Sequence, residues 1–360
     1  MTEAWRFLFV PVSGPGGAGE YYRSLAIARA VADRWPGSDI SFLVSRDADY
    51  AQGGPFPTQL LDRSPTFESA AVIRAIRDLR PHVVVFDSAG RVDQQQAARR
   101  AGARVVFIAS RPSIRRKAFA LRRLRATDQL WLAQPRFLGG QLTAWEQWKR
   151  RVAPQLDVRL LEVIHEPLDE SATRTRQRAL GVDPGQYVLA CPGGGGDFGK
   201  GPDAPRLYFD VAVRVAAQAR LPVVAVLGAR FSPPSPLPAG VRVLGTVPNG
   251  ELMGLLQDAR LAIVNGGSLL MQAIAQDTPC VAAPIADDQP PRIAETARHG
   301  YVRAAALEPG ALAEAALDLL HDDAARDALR GHLVELDLRN GLDVAVEGLA
   351  QLLPRESFAG

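Results

Sequence analysis

Short apolar runs alternate with segments of helical periodicity along most of the chain, and this alternation constrains the fold more than any other feature. Runs of five to seven apolar residues joined by amphipathic helices are typical of parallel sheets covered on both faces. The predicted strands are 6–12, 39–44, 82–87, 103–109, 128–133, 187–192, 222–228, 241–245, 261–265, 280–284 and 301–305. The sequence therefore predicts an α/β fold with two doubly wound Rossmann-like domains in tandem.

The pattern weakens at residues 151–180, which we interpret as a linker. The predicted domains are 1–165 and 166–338, followed by a C-terminal helix within 339–360. Residues 1–165 carry 25 Lys and Arg against 15 Asp and Glu, whereas residues 166–360 carry 17 against 24. A basic half and an acidic half indicate two domains with different partners.

Composition excludes several classes of protein. The chain is 47% hydrophobic and 22% charged, as in ordinary globular proteins. It shows neither an apolar run near the roughly 20 residues of a membrane span nor the pattern of a signal peptide. Cys191 and Cys280 both end apolar runs and are expected to be small core residues in a reducing cytoplasm. The five histidines have no metal-ligand spacing, so we expect no metal site.

The loop in "AIVNGGSLL" follows the predicted strand 261–265. Ligands of open α/β sheets bind beyond the carboxyl ends of the strands. Two glycines there would let the backbone approach a ligand, Ser268 could cap the next helix, and the helix start would attract a phosphate. Gln272 lies one turn later on the same helix face. The alternative is a plain strand–turn–helix capped by serine.

The loop in "APIADDQPP" follows the next predicted strand. Asp287, Asp288 and Gln289 could hydrogen-bond the hydroxyls of a sugar, or the acidic residues could simply favour a helix N-terminus. The succession of strand, NGGS turn, helix, strand and DDQ turn is much more specific than either loop alone.

This succession resembles the donor-binding region of GT-B glycosyltransferases, most closely the branch of the peptidoglycan N-acetylglucosaminyltransferase. The resemblance implies a diphosphate site at the glycine turn, a ribose contact one helical turn later and a sugar contact in the second loop. In this chain the corresponding residues are Asn265, Gly266, Gly267 and Ser268, then Gln272, then Asp288 and Gln289. Gln272 departs from the family, which usually has glutamate there.

The stretch "SGPGGAGEYYR" near the start resembles the family's first glycine loop and helix. The resemblance places Gly17, Gly19 and Arg23 on the acceptor side. Glu20 stands where the family has histidine, and it could act as the catalytic base if burial raised its pKa. Alternatively, its charge only favours the helix start. Asp87, at the end of the strand 82–87, is the second candidate, together with the adjacent Ser88.

Three further loops have roles implied by the resemblance. "CPGGGGDFGKG" fits the start of a P-loop, but Gly201 follows where a magnesium-binding Ser or Thr is required. We therefore expect this loop to lie beside the donor phosphates. Arg230 could offset the negative charge of the leaving group there, or it could lie on the solvated surface. The loop after strand 241–245 would hold the base through its backbone. The residues concerned are Gly194, Gly195, Lys200, Arg230, Thr246 and Val247.

Residues 111–125 contain seven basic residues interleaved with apolar ones. Such a helix could contact an anionic membrane or an anionic acceptor, or could be a solvated face. No motif favours nucleic acid. Trp145 and Trp148, three residues apart, are expected to pack at the domain interface. Asp47-Ala48-Asp49 matches the D-x-D of metal-dependent GT-A enzymes, but a second α/β domain argues against that class.

The resemblance implies a GT-B enzyme with an acceptor-binding first domain, a donor-binding second domain and a final helix crossing back to the first. We expect it in the cytoplasm or at the inner face of the membrane. We expect metal-independent, inverting transfer from a nucleoside-diphosphate sugar, with UDP favoured. The acceptor would be a glycan, a lipid-linked or a small molecule, and the basic first half favours an acidic or membrane-borne one. The nucleotide-sugar is a substrate, so no cofactor is expected. A nucleotide-sugar hydrolase and a non-catalytic nucleotide-sugar-binding protein remain alternatives.

Overall fold

The computed structural model describes residues 4–14, 18–51, 53–193 and 203–354. The chain divides into two compact units, one formed by residues 1–164 and 340–360, the other by residues 165–339. Each unit has one parallel β-sheet flanked by helices. The predicted fold class, two doubly wound Rossmann-like domains, is confirmed.

The first unit contains a seven-stranded parallel sheet in the order β3-β2-β1-β4-β5-β6-β7. Its core lies on both faces of the sheet, and every residue of the central strand β4 is buried. The strands are β1 (Arg6–Pro11), β2 (Asp39–Ser45), β3 (Thr58–Leu61), β4 (Val83–Asp87), β5 (Arg104–Ala109), β6 (Gln129–Leu132) and β7 (Asp157–Leu160). The helices are α1 (Gly19–Arg34), α2 (Ser69–Leu79), α3 (Val92–Arg100), α4 (Pro112–Ala118), α5 (Leu121–Leu124), α6 (Ala144–Arg151) and, from the chain's end, α14 (Leu342–Leu352).

The second unit contains a six-stranded parallel sheet in the order β10-β9-β8-β11-β12-β13. The strands are β8 (Val188–Cys191), β9 (Val223–Val226), β10 (Val241–Leu244), β11 (Leu261–Asn265), β12 (Cys280–Ala283) and β13 (Arg303–Ala304). The helices are α7 (Glu170–Leu180), α8 (Ala204–Ala219), α9 (Asn249–Gln257), α10 (Ser268–Ala275), α11 (Pro290–Arg298), α12 (Pro309–His321) and α13 (Asp323–Leu336).

The predicted linker at 151–180 is largely wrong. It contains β7, the last strand of the first sheet, and α7, which belongs to the second unit. Like β3, which was also missed, β7 is an edge strand with polar and partly exposed residues. Edge strands are covered less than central ones, so they need no continuous apolar run and give a weak signal.

The last helix, α14, packs within the first unit. The side chain of Gln129 on β6 donates a hydrogen bond to the Gly348 carbonyl at 2.9 Å, and Arg159 on β7 donates to the Val344 carbonyl at 3.1 Å. Leu349 is fully buried in the same core as α1. A segment distant in sequence therefore covers one face of the first sheet.

Residues 111–125 do not form one amphipathic surface helix. They fold into α4 and α5, and the apolar Phe119 and Leu124 are buried in the core. Trp145 and Trp148, which were expected to pack at the domain interface, are 59% and 45% exposed. No helix in the described part of the chain combines the length and apolar composition that a membrane span requires.

The two cysteines are core residues, as expected. Cys191 and Cys280 are buried and unpaired with each other, and burial raises the pKa of their thiols to about 11 and about 12. A thiol with a raised pKa is a poor nucleophile. Both cysteines therefore act as small apolar residues.

Candidate functional site

The turns after β11 and β12 lie side by side in the second unit. The two strands are parallel neighbours, with Asn265 opposite Ala283. The side-chain oxygen of Gln289 accepts hydrogen bonds from the backbone N–H of Gly266 at 3.1 Å and of Ile285 at 2.9 Å. One amide side chain therefore joins the two turns, as the order of motifs required.

Asn265 joins the same turn to the loop after β8. Its Nδ2 donates to the Pro192 carbonyl, and its Oδ1 accepts from the Gly267 N–H at 2.6 Å. Asn265 and Gln289 are both buried. Their side-chain amides bind the protein's own backbone, so they position the turns. The sugar contact that the resemblance assigned to Gln289 would have to replace these bonds.

The two glycines of this turn are required by packing within the protein. A Cβ atom at Gly266 would lie 2.6 Å from Cδ1 of Ile293 on α11, and one at Gly267 would lie 2.8 Å from Oδ1 of Asn265. Real side chains do not approach so closely, and correcting the overlap would move the turn. The glycines thus let α11 and Asn265 pack against the backbone, a role that the sequence pattern did not predict.

Helix α10 begins at this turn without a side-chain cap. Gly267 is the N-cap residue, and Ser268, which was expected to cap the helix, is its exposed first residue. The first N–H groups of an uncapped helix are free to bind an anion, and the helix dipole adds positive potential there. Gln272 is half-buried one turn further along.

Arg292 is a candidate site residue that was not predicted from the sequence. Its Nη1 donates to the Gly266 carbonyl at 2.7 Å, and its Nη2 lies 3.5 Å from Oδ2 of Asp288. The guanidinium group therefore adds a positive charge at the turn that precedes α10. The four-residue spacing of Asp288 and Arg292 at the start of a helix was the only signal for this position.

The remaining residues predicted to bind the donor lie outside the hydrogen-bonded turn that precedes α10. Arg230 is exposed in the loop after β9, and Thr246 is exposed after the edge strand β10, where Val247 is buried. Asp287 and Asp288 are exposed in the turn after β12. Gly194, Gly195 and Lys200 lie outside the described residues, and so does Gly17 in the first unit.

In the first unit, Asp87 and Arg23 form a buried ion pair at the carboxyl end of β4. Nη2 and Nε of Arg23 lie 2.5 and 2.9 Å from the two carboxylate oxygens, and the Ser24 hydroxyl lies 3.3 Å from Oδ2. Burial raises the pKa of Asp87 to about 6, the negative charge of Glu20 adds to this, and Arg23 and Ser24 oppose it. Asp87 is thus held in place and shielded from solvent.

Glu20 lies in the first turn of α1, directly after Gly19, and pairs with Arg111 at the start of α4. Burial alone would raise the pKa of Glu20, but the positive charges of Arg111 and Arg23 and the hydrogen bond from Arg111 outweigh it, so the pKa is lowered. The condition set for Glu20 from the sequence, a pKa raised by burial, is therefore not met. Arg111 was noted only as part of the basic run, because nothing local indicates a partner 91 positions away.

These contacts bring two carboxylates and two arginines together beside the first helix. Each carboxylate is paired with one arginine, and the charge of Arg23 also acts on Glu20. Ser88, which follows Asp87, has a left-handed backbone with φ of 56° and lies 3.2 Å from the Ser110 hydroxyl. Such an arrangement can accept a proton from a hydroxyl and hold the resulting charges in fixed positions.

No protein-family model matches the chain, and no curated protein matches it by sequence. Solved structures do match it. CalG4, the calicheamicin glycosyltransferase, shares 18% identity with a TM-score of 0.64, covering 99% of this chain and 100% of its own. MurG of Acinetobacter baumannii shares 16% identity with a TM-score of 0.59, covering 96% and 99%.

A third similar structure is UDP-glucose: anthocyanidin 3-O-glucosyltransferase in complex with UDP. It shares 10% identity with a TM-score of 0.61, covering 98% of this chain and 99% of its own. All three matches extend over both units of the chain. The protein therefore has the GT-B fold of these glycosyltransferases.

Proposed function

We propose that the protein is a glycosyltransferase that moves a sugar from a nucleoside-diphosphate sugar to an acceptor hydroxyl. The observation that carries the proposal is the uncapped start of α10, with Arg292 at the turn that precedes it. Free N–H groups, a helix dipole and a guanidinium are the groups that bind a diphosphate.

The second unit would bind the donor. The diphosphate would lie at Ser268 and Arg292, with Gln272 placed for the ribose and Asp288 for the sugar. As the bond to the sugar breaks, negative charge grows on the leaving diphosphate, and fixed dipoles and a guanidinium stabilise it. These groups would supply the positive charge, so we propose transfer without a metal ion. UDP is our first choice of nucleotide, because one of the similar structures contains it.

The first unit would supply the base. Asp87 is fully buried, and Arg23 and Ser24 occupy both of its oxygens, whereas Glu20 is 9% exposed and only its Oε1 is paired, with Arg111. The lowered pKa of Glu20 keeps it ionised and able to accept a proton at neutral pH. We therefore propose that Glu20 removes the proton from the acceptor hydroxyl and that Asp87 holds Arg23 in position. Attack of the activated hydroxyl on the anomeric carbon, opposite the leaving group, would invert the configuration.

A thermal-shift screen with UDP, GDP, TDP and their sugars tests the donor site. Stabilisation by a ligand follows its concentration relative to Kd and reaches about 2.7 kcal/mol at a hundredfold excess over Kd. We expect one nucleotide to raise the Tm progressively with concentration. The absence of a shift with all of them would refute the donor site.

Product analysis with labelled donor tests the reaction. Transfer to an added acceptor with inverted configuration supports the proposal, and free sugar formed without acceptor would identify a hydrolase. Binding without either product would identify a non-catalytic binder. The excess of basic residues in 1–165 favours an acidic acceptor. The KM for such an acceptor should therefore rise with ionic strength.

A further inference from the structure

Two neighbouring glutamines of α3 are equally buried, yet only one of them is hydrogen-bonded. Gln94 and Gln95 have no exposed surface. The Gln94 amide donates to the Pro65 carbonyl at 2.8 Å and to the Ser69 hydroxyl at 3.1 Å. It also accepts from the Arg91 N–H at 3.0 Å. In the described part of the chain, neither Nε2 nor Oε1 of Gln95 has a partner. Buried amides are almost always hydrogen-bonded, so Gln95 points to a ligand from outside the chain.

Arg123 on α5 is a buried cation with an unpaired donor. It is 8% exposed, and its guanidinium lies 4.4 Å from the ring centre of Phe107 on β5. Nη2 donates to the Gly90 carbonyl at 3.2 Å, but Nη1 is buried without a hydrogen-bond partner.

The positive charge of Arg123 is not neutralised within the chain. Among the described residues, no carboxylate forms an ion pair with it. Burial lowers the pKa of Arg123 to about 10, so the guanidinium remains charged at neutral pH. A buried charge is costly unless an opposite charge lies beside it. The ligand should therefore be an anion.

Both side chains belong to the region where α3 packs against α5. Arg123 binds the Gly90 carbonyl, two residues before α3 begins, and Gln95 is the fourth residue of that helix. Gln95 shares a helix face with Arg99, one turn later. Arg99 donates to the carbonyl of Arg125, directly after α5, at 3.2 Å. The face of α3 that carries Gln95 is therefore directed toward α5, and the guanidinium lies beside the first turn of α3.

The unpaired atoms define what kind of anion can satisfy them. Nε2 of Gln95 and Nη1 of Arg123 need acceptors, whereas Oε1 of Gln95 needs a donor. A chloride ion would offset the charge but leave Oε1 unpaired, and a water molecule would leave the charge in place. An oxyanion that retains one proton supplies the acceptors, the donor and the charge. Because the three atoms are closed to solvent, the ion must also be small.

We propose that Gln95 and Arg123 bind a bicarbonate ion between α3 and α5. The O–H of bicarbonate would donate to Oε1 of Gln95, and its other oxygens would accept from Nε2 and from Nη1 of Arg123. The ion would hold Arg123 in place, and with it the Gly90 carbonyl. Bicarbonate would thus fix the loop that follows Asp87, at the carboxyl end of β4.

Thermal unfolding of the full-length protein tests the proposal without donor or acceptor, so it is independent of the proposed function. Sodium bicarbonate and sodium nitrate are compared at equal ionic strength in mildly alkaline buffer. Nitrate has the same charge and planar shape as bicarbonate but no proton to donate. We expect the Tm to rise progressively with bicarbonate and to change little with nitrate.

Two variants test whether the ion binds at this place. In Gln95→Leu and in Arg123→Met, the Kd for bicarbonate should rise roughly tenfold or more, because each variant removes a hydrogen-bonding partner of a charged group. Without bicarbonate, Gln95→Leu should not lower the Tm, since an apolar side chain of similar size replaces an unpaired amide.

The matched controls are Gln94→Leu and Arg122→Met. Gln94 is as buried as Gln95 but fully hydrogen-bonded, so its replacement should lower the Tm in every buffer and leave the bicarbonate shift intact. Arg122 is the exposed neighbour of Arg123 and should behave like the parent protein when replaced.

Nuclear magnetic resonance with ¹³C-labelled bicarbonate gives a second measurement. Broadening of its resonance by the parent protein, and a loss of this broadening in Gln95→Leu, would support the site. Equal Tm shifts with nitrate and bicarbonate would overturn the proposal in favour of an unselective anion site. No shift with bicarbonate, or a shift that both variants retain, would also overturn it.

Discussion

The turn at the start of α10 and the carboxylate cluster at the start of α1 both lie at the carboxyl ends of central strands, one in each Rossmann-like unit, yet they are built from different chemistry. Two neutral amides, Asn265 and Gln289, hold the first together with the guanidinium of Arg292. Ion pairs, Asp87 with Arg23 and Glu20 with Arg111, hold the second. At the start of α10, the amide contacts leave the helix dipole available for an anion. At the start of α1, charges that are paired with each other suit proton transfer to and from a neutral hydroxyl.

The largest effect should come from Glu20→Gln. The substitution preserves shape but removes the proposed base, so kcat should fall by about 10² to 10⁴. The thermal shift with donor should be retained, because the change lies in the first unit.

The control for this variant is Glu146→Gln, which also breaks an ion pair between a glutamate and an arginine in the first unit. It should leave kcat close to that of the parent protein. If both variants lose activity equally, the loss is structural and Glu20 is not the base.

Arg292→Ala tests the positive charge of the second unit. Loss of a charged hydrogen-bond donor costs about 1.5–3 kcal/mol, so the Kd for the nucleoside diphosphate should rise roughly 10- to 100-fold in calorimetry. Arg298→Ala, an exposed arginine of the same helix, should change it little. Equal affinities of the two variants would remove Arg292 from the site.

Gly266→Ala sharpens the role of the glycines. The new methyl group would meet Ile293, and overpacking of this kind typically costs about 1–3 kcal/mol of the free energy of unfolding. Donor affinity should fall as well, because the turn moves.

The double variant with Ile293→Ala should recover part of both losses, as a double-mutant cycle in denaturant would measure. If the second substitution only adds to the damage, the glycine is required by the ligand and not by α11.

The smallest effect concerns pH. Because the pKa of Asp87 is about 6 and the pKa of Glu20 is lowered, the acidic limb of kcat/KM should reflect Asp87 and lie near pH 6. Protonation below this pH would weaken the hold on Arg23.

Ser24→Ala removes a hydrogen bond that lowers the pKa of Asp87, so the limb should move to higher pH. An unmoved limb would assign the titration to another group.

Much of the fold was predictable, since strands buried on both faces must be apolar throughout and the helices between them must be amphipathic. The adjacency of the two turns in the second unit was predictable because they follow consecutive strands of one parallel sheet. The edge strands β3 and β7 were not, because half-exposed strands carry polar residues. The exposure of Trp145 and Trp148 was also not predictable, because large apolar side chains are expected to be buried.

The sequence by itself determined the two parallel sheets and the position of a glycine turn before α10, because both depend on local patterns of apolar residues and glycine. Tertiary structure alone decided what those residues do. It placed Arg292 on the glycine turn, turned Gln289 inward, and paired Glu20 with Arg111 across 91 positions. Charges and hydrogen bonds act over a few ångströms in space, and distance along the chain does not reveal which groups will meet.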